Sequence, residues 1–271
     1  MSAAAIVPVL AAGILAASIA TTASGQPAEM HDGGLARKQT LSYLALGDSY
    51  TIGEGVAPAG RWPMQLADAL RERGVAIEDP RIVARTGWTT DELSAAIDAE
   101  FVDVSGDTSG DASGDASGVA SVGDTATAAS PRFGFVTLLI GVNNQYRGRS
   151  VEEYATQFEA LLERATAFAD GRRDRVLVLS IPDWGVTPFA AQSGRDTARI
   201  AQELDAFNAT AARICAAHGI AFVDIAPASR ARGAEPDMLA DDGLHPSSAM
   251  YSEWTADALP VALRLLRAPA R

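Results

Sequence analysis

The chain predicts an α/β fold, a parallel sheet covered by helices on both faces. Short apolar runs alternate with longer amphipathic stretches along most of its length, the pattern of strand–helix–strand crossovers. Its apolar runs at 135–140 and 41–46 stop abruptly in glycine and small polar residues, as buried strands do. With 271 residues, 48% hydrophobic and 21% charged, there is material for one sizeable core and no charge-rich signature of disorder. One domain is the natural count.

Strands are predicted at 41–46, 81–84, 135–140, 176–181 and 220–225, and helices at 62–73, 90–100, 151–169, 197–218 and 248–266. The first strand runs into Gly47-Asp48-Ser49. After the second, Gly87 precedes Thr89 and Glu92, whose spacing is that of a capping box opening a helix. Its free backbone N–H groups would be available to an anion. The third strand ends in Gly141-Val142-Asn143-Asn144, and Ser150 with Glu153 forms a second capping box. His218 precedes Gly219 and reads as a helix C-terminal residue favoured by the dipole. Cys215 adjoins the apolar stripe Ile200, Leu204, Phe207, Ala211, Ile214 and reads as a packing residue; as the sole cysteine it excludes an intrachain disulfide.

Two segments outside this alternation carry their own signals. Residues 1–25 are an almost unbroken apolar run followed by small residues near Ala23-Ser24-Gly25, which reads as a secretory signal and implies export to a periplasm or the exterior. It lacks the basic residues of a typical signal start, so an uncleaved anchor is the alternative. Residues 26–40 form a polar linker, in which His31 falls. At about 104–130 the composition turns to Ser-Gly-Asp repeats, which have little to bury and read as a solvated insertion. Its recurring carboxylates invite calcium, but neither an EF-hand loop nor the glycine-rich nonapeptide is present.

Chemistry concentrates in two places. A serine hydroxyl becomes a useful nucleophile when an imidazole takes its proton and a carboxylate orients that imidazole. Ser49 follows the first strand, and Asp242-Gly243-Leu244-His245 supplies an acid and a base three residues apart. Either segment alone reads as turn chemistry. Together, at the two ends of one α/β pattern, they form a candidate triad of Ser49, Asp242 and His245. Asn143, just beyond a strand, lies where such a sheet places ligand-facing groups.

Ser49, Gly87, Asn143 and His245 resemble the four signature residues of the SGNH hydrolases, the GDSL-type lipases and esterases, and the blocks follow the family order from about residue 41 to 268. The resemblance implies a three-layer, flavodoxin-like sheet of five parallel strands. It also implies an ester hydrolase with Ser49 as nucleophile, His245 as base and Asp242 as its orienting acid. The oxyanion hole would be the N–H groups of Ser49 and Gly87 with the Asn143 carboxamide. Where the family has Gly-x-Asn-Asp, this chain has Gly141-Val142-Asn143-Asn144, so altered loop support rather than lost catalysis is expected. Gly47-Asp48-Ser49-Tyr50-Thr51 lacks the second glycine of the Gly-x-Ser-x-Gly elbow, which sets the chain apart from the sharp-elbow α/β-hydrolases.

Trp88, Asn144, Arg147 and Trp184 are candidate lining of a substrate pocket, because the C-terminal edge of the sheet gathers their loops. Each also has a packing or ion-pairing alternative. A net charge of −12 without an extended basic cluster argues against nucleic acid as a partner. A small ester fits better, and no membrane contact beyond the leader is implied. His245 is the one histidine in a chemical context, so a His-rich zinc site is not supported, and no metal or organic cofactor is required. Substrates could span short-acyl esters, lysophospholipids, thioesters or acetylated carbohydrates. The rival class is a non-catalytic glycan- or lipid-binding protein retaining the fold, against which the intact Ser49, Asp242 and His245 count.

Overall fold

The structure, a computed structural model, describes residues 40–101 and 131–267. The leader, the linker up to residue 39, and the Ser-Gly-Asp insertion lie outside the described residues, as does His31. Strands β1 (Tyr43–Gly47), β2 (Arg81–Ala84), β3 (Phe135–Leu139), β4 (Val176–Leu179) and β5 (Ala221–Val223) form a wholly parallel sheet in the order β2-β1-β3-β4-β5. That is the flavodoxin-like order expected. The longer helices are α2 (Trp62–Glu72), α3 (Thr90–Phe101), α5 (Val151–Phe168), α7 (Thr197–His218) and α9 (Ser248–Arg267). Helix α2 packs against α9, while α3 and α7 flank α5; right-handed crossovers place these two groups on opposite faces.

Burial follows position in the sheet. Every residue of β1, β3 and β4 is buried, which is why these strands read as continuous apolar runs and not as alternating ones. The edge strand β2 is half open. Arg81 at its start pairs with Glu100 and lies 4.4 Å from the Phe101 ring centroid, charge and bulk that discourage pairing with another chain.

The predicted ends of the last two strands run beyond the observed ones. Ser180 Oγ donates to Asp224 and accepts from the N–H groups of Ile225 and Ala226, so the chain leaves the sheet there to enter α8 (Ala226–Arg232). Three other short helices, α1 (Ser49–Ile52), α4 (Val142–Tyr146) and α6 (Pro188–Gln192), also lie outside the predicted set. Buried Asn208 on α7 accepts from Ile181 N–H and donates to Ile181 C=O, both at 2.8 Å, fixing the chain that leads to Trp184. Cys215 is fully buried, and burial pushes its thiol up to about 12. His218 closes α7 and bonds Glu159, with Gly219 as the left-handed cap. Among the described residues no helix is long and apolar enough to cross a membrane.

Candidate active site

Register brings the site together. Gly47 pairs with Ala84 on one side and Leu139 on the other, so β1, β2 and β3 end level. The chain then delivers Ser49, Gly87 and Asn143 to the same edge of the sheet. These three line one cavity of about 180 Å³ with His245.

The serine turn is tightly built. A Cβ on Gly47 would stand 2.2 Å from Thr51 Oγ1 and 2.4 Å from the Leu139 carbonyl oxygen, so only glycine permits α1 to start here. Asp48 is wholly buried and caps α1 by accepting from Tyr50 N–H at 3.0 Å, while its Oδ2 has no partner. Burial, offset in part by backbone N–H groups, pushes this carboxyl from an ordinary 3.8 to about 7. Ser49 opens the helix, where a backbone N–H has no intrahelical acceptor, and the residue is 4% exposed.

Gly87 has φ +88°, a conformation that penalises side-chain-bearing residues. Arg147 holds this turn, donating to Gly87 C=O at 2.6 Å and to Glu92 at 2.9 Å. The Asn143 carboxamide donates to Trp88 C=O at 2.9 Å, which leaves its second N–H for the cavity.

His245 is set from the other end of the chain. Its Nδ1–H donates to Asp242 Oδ2 at 2.5 Å, and Asp242 Oδ1 accepts from the Leu244 and His245 N–H groups at 2.9 Å each. The turn that allows this passes through Gly243 at φ +65°. Burial alone would raise the Asp242 carboxyl, but the His245 side chain and the two backbone N–H groups outweigh it and the carboxyl is lowered. This bond fixes the tautomer and directs Nε2 away from the carboxylate. Tyr50 packs edge-on against the imidazole at 6.0 Å and against Trp254 at 5.9 Å.

Of the four candidate lining residues, Trp184 alone lines this cavity. It is buried, and its Nε1–H donates to Gln145 Oε1 at 2.9 Å; Gln145 in turn donates to Glu203. The other three need correction. Trp88 packs against the core, as a bulky apolar group beside a helix start does. Arg147 is consumed by Glu92 and the Gly87 carbonyl. Asn144 is fully buried, accepting from Thr90 N–H at 3.0 Å and donating to Thr90 Oγ1 at 2.7 Å, so it ties α4 to the start of α3. Tyr50, Val142, Tyr146, Phe189 and Leu244, none of them singled out from sequence, supply the apolar walls. Tyr50 and Val142 directly follow Ser49 and Gly141, a proximity that could have flagged them; nothing marks Phe189. Among the described residues no group of three or more His, Cys, Asp or Glu side chains could hold a metal ion.

A flavodoxin-like sheet with a serine, a carboxylate-held histidine, a glycine turn and a carboxamide around one cavity at its C-terminal edge is the arrangement of a serine hydrolase. Residues 45–252 match the GDSL-like Lipase/Acylhydrolase family, and the chain belongs to that family as an ester hydrolase. No curated protein is similar enough to count as a relative by sequence. Solved structures of like fold include TesA, at 17% identity and TM-score 0.55 over 83% of this chain and 99% of that one. The psychrotrophic esterase EstA from Pseudoalteromonas sp., inhibited by monoethylphosphonate, shows 15% identity and TM-score 0.55 over 84% and 99%. The lipase/acylhydrolase from Enterococcus faecalis shows 18% and 0.55 over 85% and 98%.

Proposed function

We propose that the enzyme cleaves short-acyl carboxylic esters through an acyl-serine intermediate. Ser49 attacks the ester carbonyl, and His245 Nε2 takes its proton and returns it to the departing alkoxide. Asp242 holds the imidazole and stabilises its charged form. The N–H groups of Ser49 and Gly87 and the free N–H of Asn143 receive the oxyanion. Water then enters, loses its proton to His245, and releases the carboxylic acid with Ser49 restored. The observation that carries this reading is the Asp242–His245 pair on the cavity that also holds Ser49.

The short-acyl preference rests on the cavity. Its apolar walls suit a hydrocarbon, and about 180 Å³ is below the roughly 300–1,000 Å³ of sites for drug-sized ligands. Trp184 is braced by Gln145, so this wall does not simply fold aside. Turnover of a chain-length panel of chromogenic esters should fall steeply beyond the short acids. Ser49→Ala should lose on the order of 10³-fold or more in kcat while retaining its fold. An ethylphosphonate, the class that inhibits the Pseudoalteromonas esterase, should label Ser49; labelling elsewhere, or an active Ser49→Ala, refutes the assignment. We further infer export on the strength of the apolar leader at 1–25, which mass analysis of the mature N-terminus would test.

A further inference from the structure

We propose that Arg195, in a groove beyond the Tyr146 wall of the cavity, binds an oxyanionic group, carboxylate or phosphate, carried by the substrate. Tyr146 lines the Ser49 cavity and also a neighbouring groove that includes Arg147, Arg195, Arg199, Asp196 and Glu203. Tyr146, 40% exposed and the exposed large hydrophobic residue among those described, thus partitions an apolar chamber from a charged one. The inference rests on the ester-hydrolase reading for the substrate's identity, though the groove itself does not depend on it.

The charges of the groove are unequally committed. Arg147 is held by Glu92 at 2.9 Å and by Gly87 C=O. Arg199 pairs with Glu203 at 2.7 Å, and Glu203 also accepts from Gln145. Asp196 caps α7, accepting from the N–H groups of Ala198 and Arg199. Arg195 forms no ion pair among the described residues. It donates to Tyr146 C=O at 2.9 Å and lies 4.0 Å from the Tyr146 ring centroid and 5.7 Å from that of Trp184.

A guanidinium has five N–H donors in a planar fork. Stacking on two aromatic rings and one carbonyl bond hold the plane in place without consuming the fork. Glu92, Asp196 and Glu203 balance the three arginines in number, so what sets the groove apart in a protein of net charge −12 is one guanidinium, that of Arg195, without an ion pair among the described residues. An ester whose acyl chain fills the apolar chamber and whose alcohol carries an oxyanion would set that anion against Arg195. Bidentate binding of carboxylate or phosphate is the recognition an arginine fork is shaped for.

Matched butanoyl esters of 4-nitrophenol and of 5-hydroxy-2-nitrobenzoate test the proposal on the full chain. The carboxylated ester should have the lower KM by roughly fivefold, the scale of an exposed charge pair of about 1 kcal/mol, and the difference should shrink in high salt. Arg195→Gln should raise its KM roughly fivefold more than that of the neutral ester, and Arg195→Lys should recover part of the preference. Equal KM values in the wild type, or an equal rise for both esters in Arg195→Gln, would overturn the proposal and leave Arg195 as a prop for Tyr146. If neither ester turns over, the hydrolase reading fails, and calorimetry with butyl phosphate decides the groove alone. Binding to the wild type that is lost in Arg195→Gln supports it; binding no tighter than that of butan-1-ol overturns it. Preference for butyl phosphate over butanoate as a ligand would identify phosphate as the favoured anion.

Discussion

Replacing Asp48 by Asn removes a buried titratable carboxyl beside Ser49 and should change how stability depends on pH. In the folded protein this group is wholly buried and pushed from 3.8 to about 7, so between those values the native state holds a proton that the unfolded chain has released. A carboxyl raised in this sense contributes stability that is full below about pH 4 and is lost as pH rises through about 7. A rise of about three pKa units corresponds to roughly 4 kcal/mol between the two limits. Asn keeps an oxygen to accept from Tyr50 N–H and never ionises. Denaturant unfolding of both proteins at pH 5 and pH 8.5 isolates the effect, because other titrating groups are common to both. The wild type should lose on the order of 3 kcal/mol more than Asp48→Asn between these conditions. Parallel pH dependence in the two proteins would refute the reasoning.

If Asn143 is the oxyanion donor proposed above, Asn143→Ala should lower kcat by about 10²–10³ with little change in KM. Asn144→Ala breaks both bonds to Thr90 in a buried site and should cost about 1–3 kcal/mol in unfolding free energy, with a milder loss of kcat; a larger kcat loss than at Asn143 would contradict the placement of the two side chains. Arg147→Ala leaves the cavity lining intact but releases the Gly87 carbonyl, so steady-state kinetics should show a fall in kcat, on the order of tenfold, with KM nearly preserved. A rise in KM alone would instead make Arg147 a substrate contact.

How much was legible in the sequence follows from the range of each interaction. Strands β1, β3 and β4 are visible because central parallel strands are apolar at every position, and α5 and α7 because they span several turns between recognisable caps at Ser150 and Gly219. Helices α1, α4, α6 and α8 are too short to show a period and depend on loop contacts such as the Asp48 cap. Ser49 and His245, which the fold brings to one cavity, could be singled out because a serine just after a strand and a histidine three residues from an aspartate have few chemical readings. Trp88 and Trp184 were not distinguishable, since both follow a strand in a loop. Their fates were decided by Gln145, which catches the indole of Trp184, and by the core beneath Trp88. Phe189 carries no local signal at all, because it becomes a wall only when α6 folds over the cavity.

The chain order of the site has a consequence for biosynthesis. All five strands, with Ser49, Gly87 and Asn143, lie before residue 224 in the chain. His245 comes later, and it is backed through Tyr50 by Trp254 of α9. Synthesis from the N-terminus therefore makes Ser49, Gly87 and Asn143 about a hundred residues or more before Asp242 and His245. On the proposed mechanism, ester hydrolysis therefore waits for the Asp242–His245 turn, whichever part of the sheet has already formed.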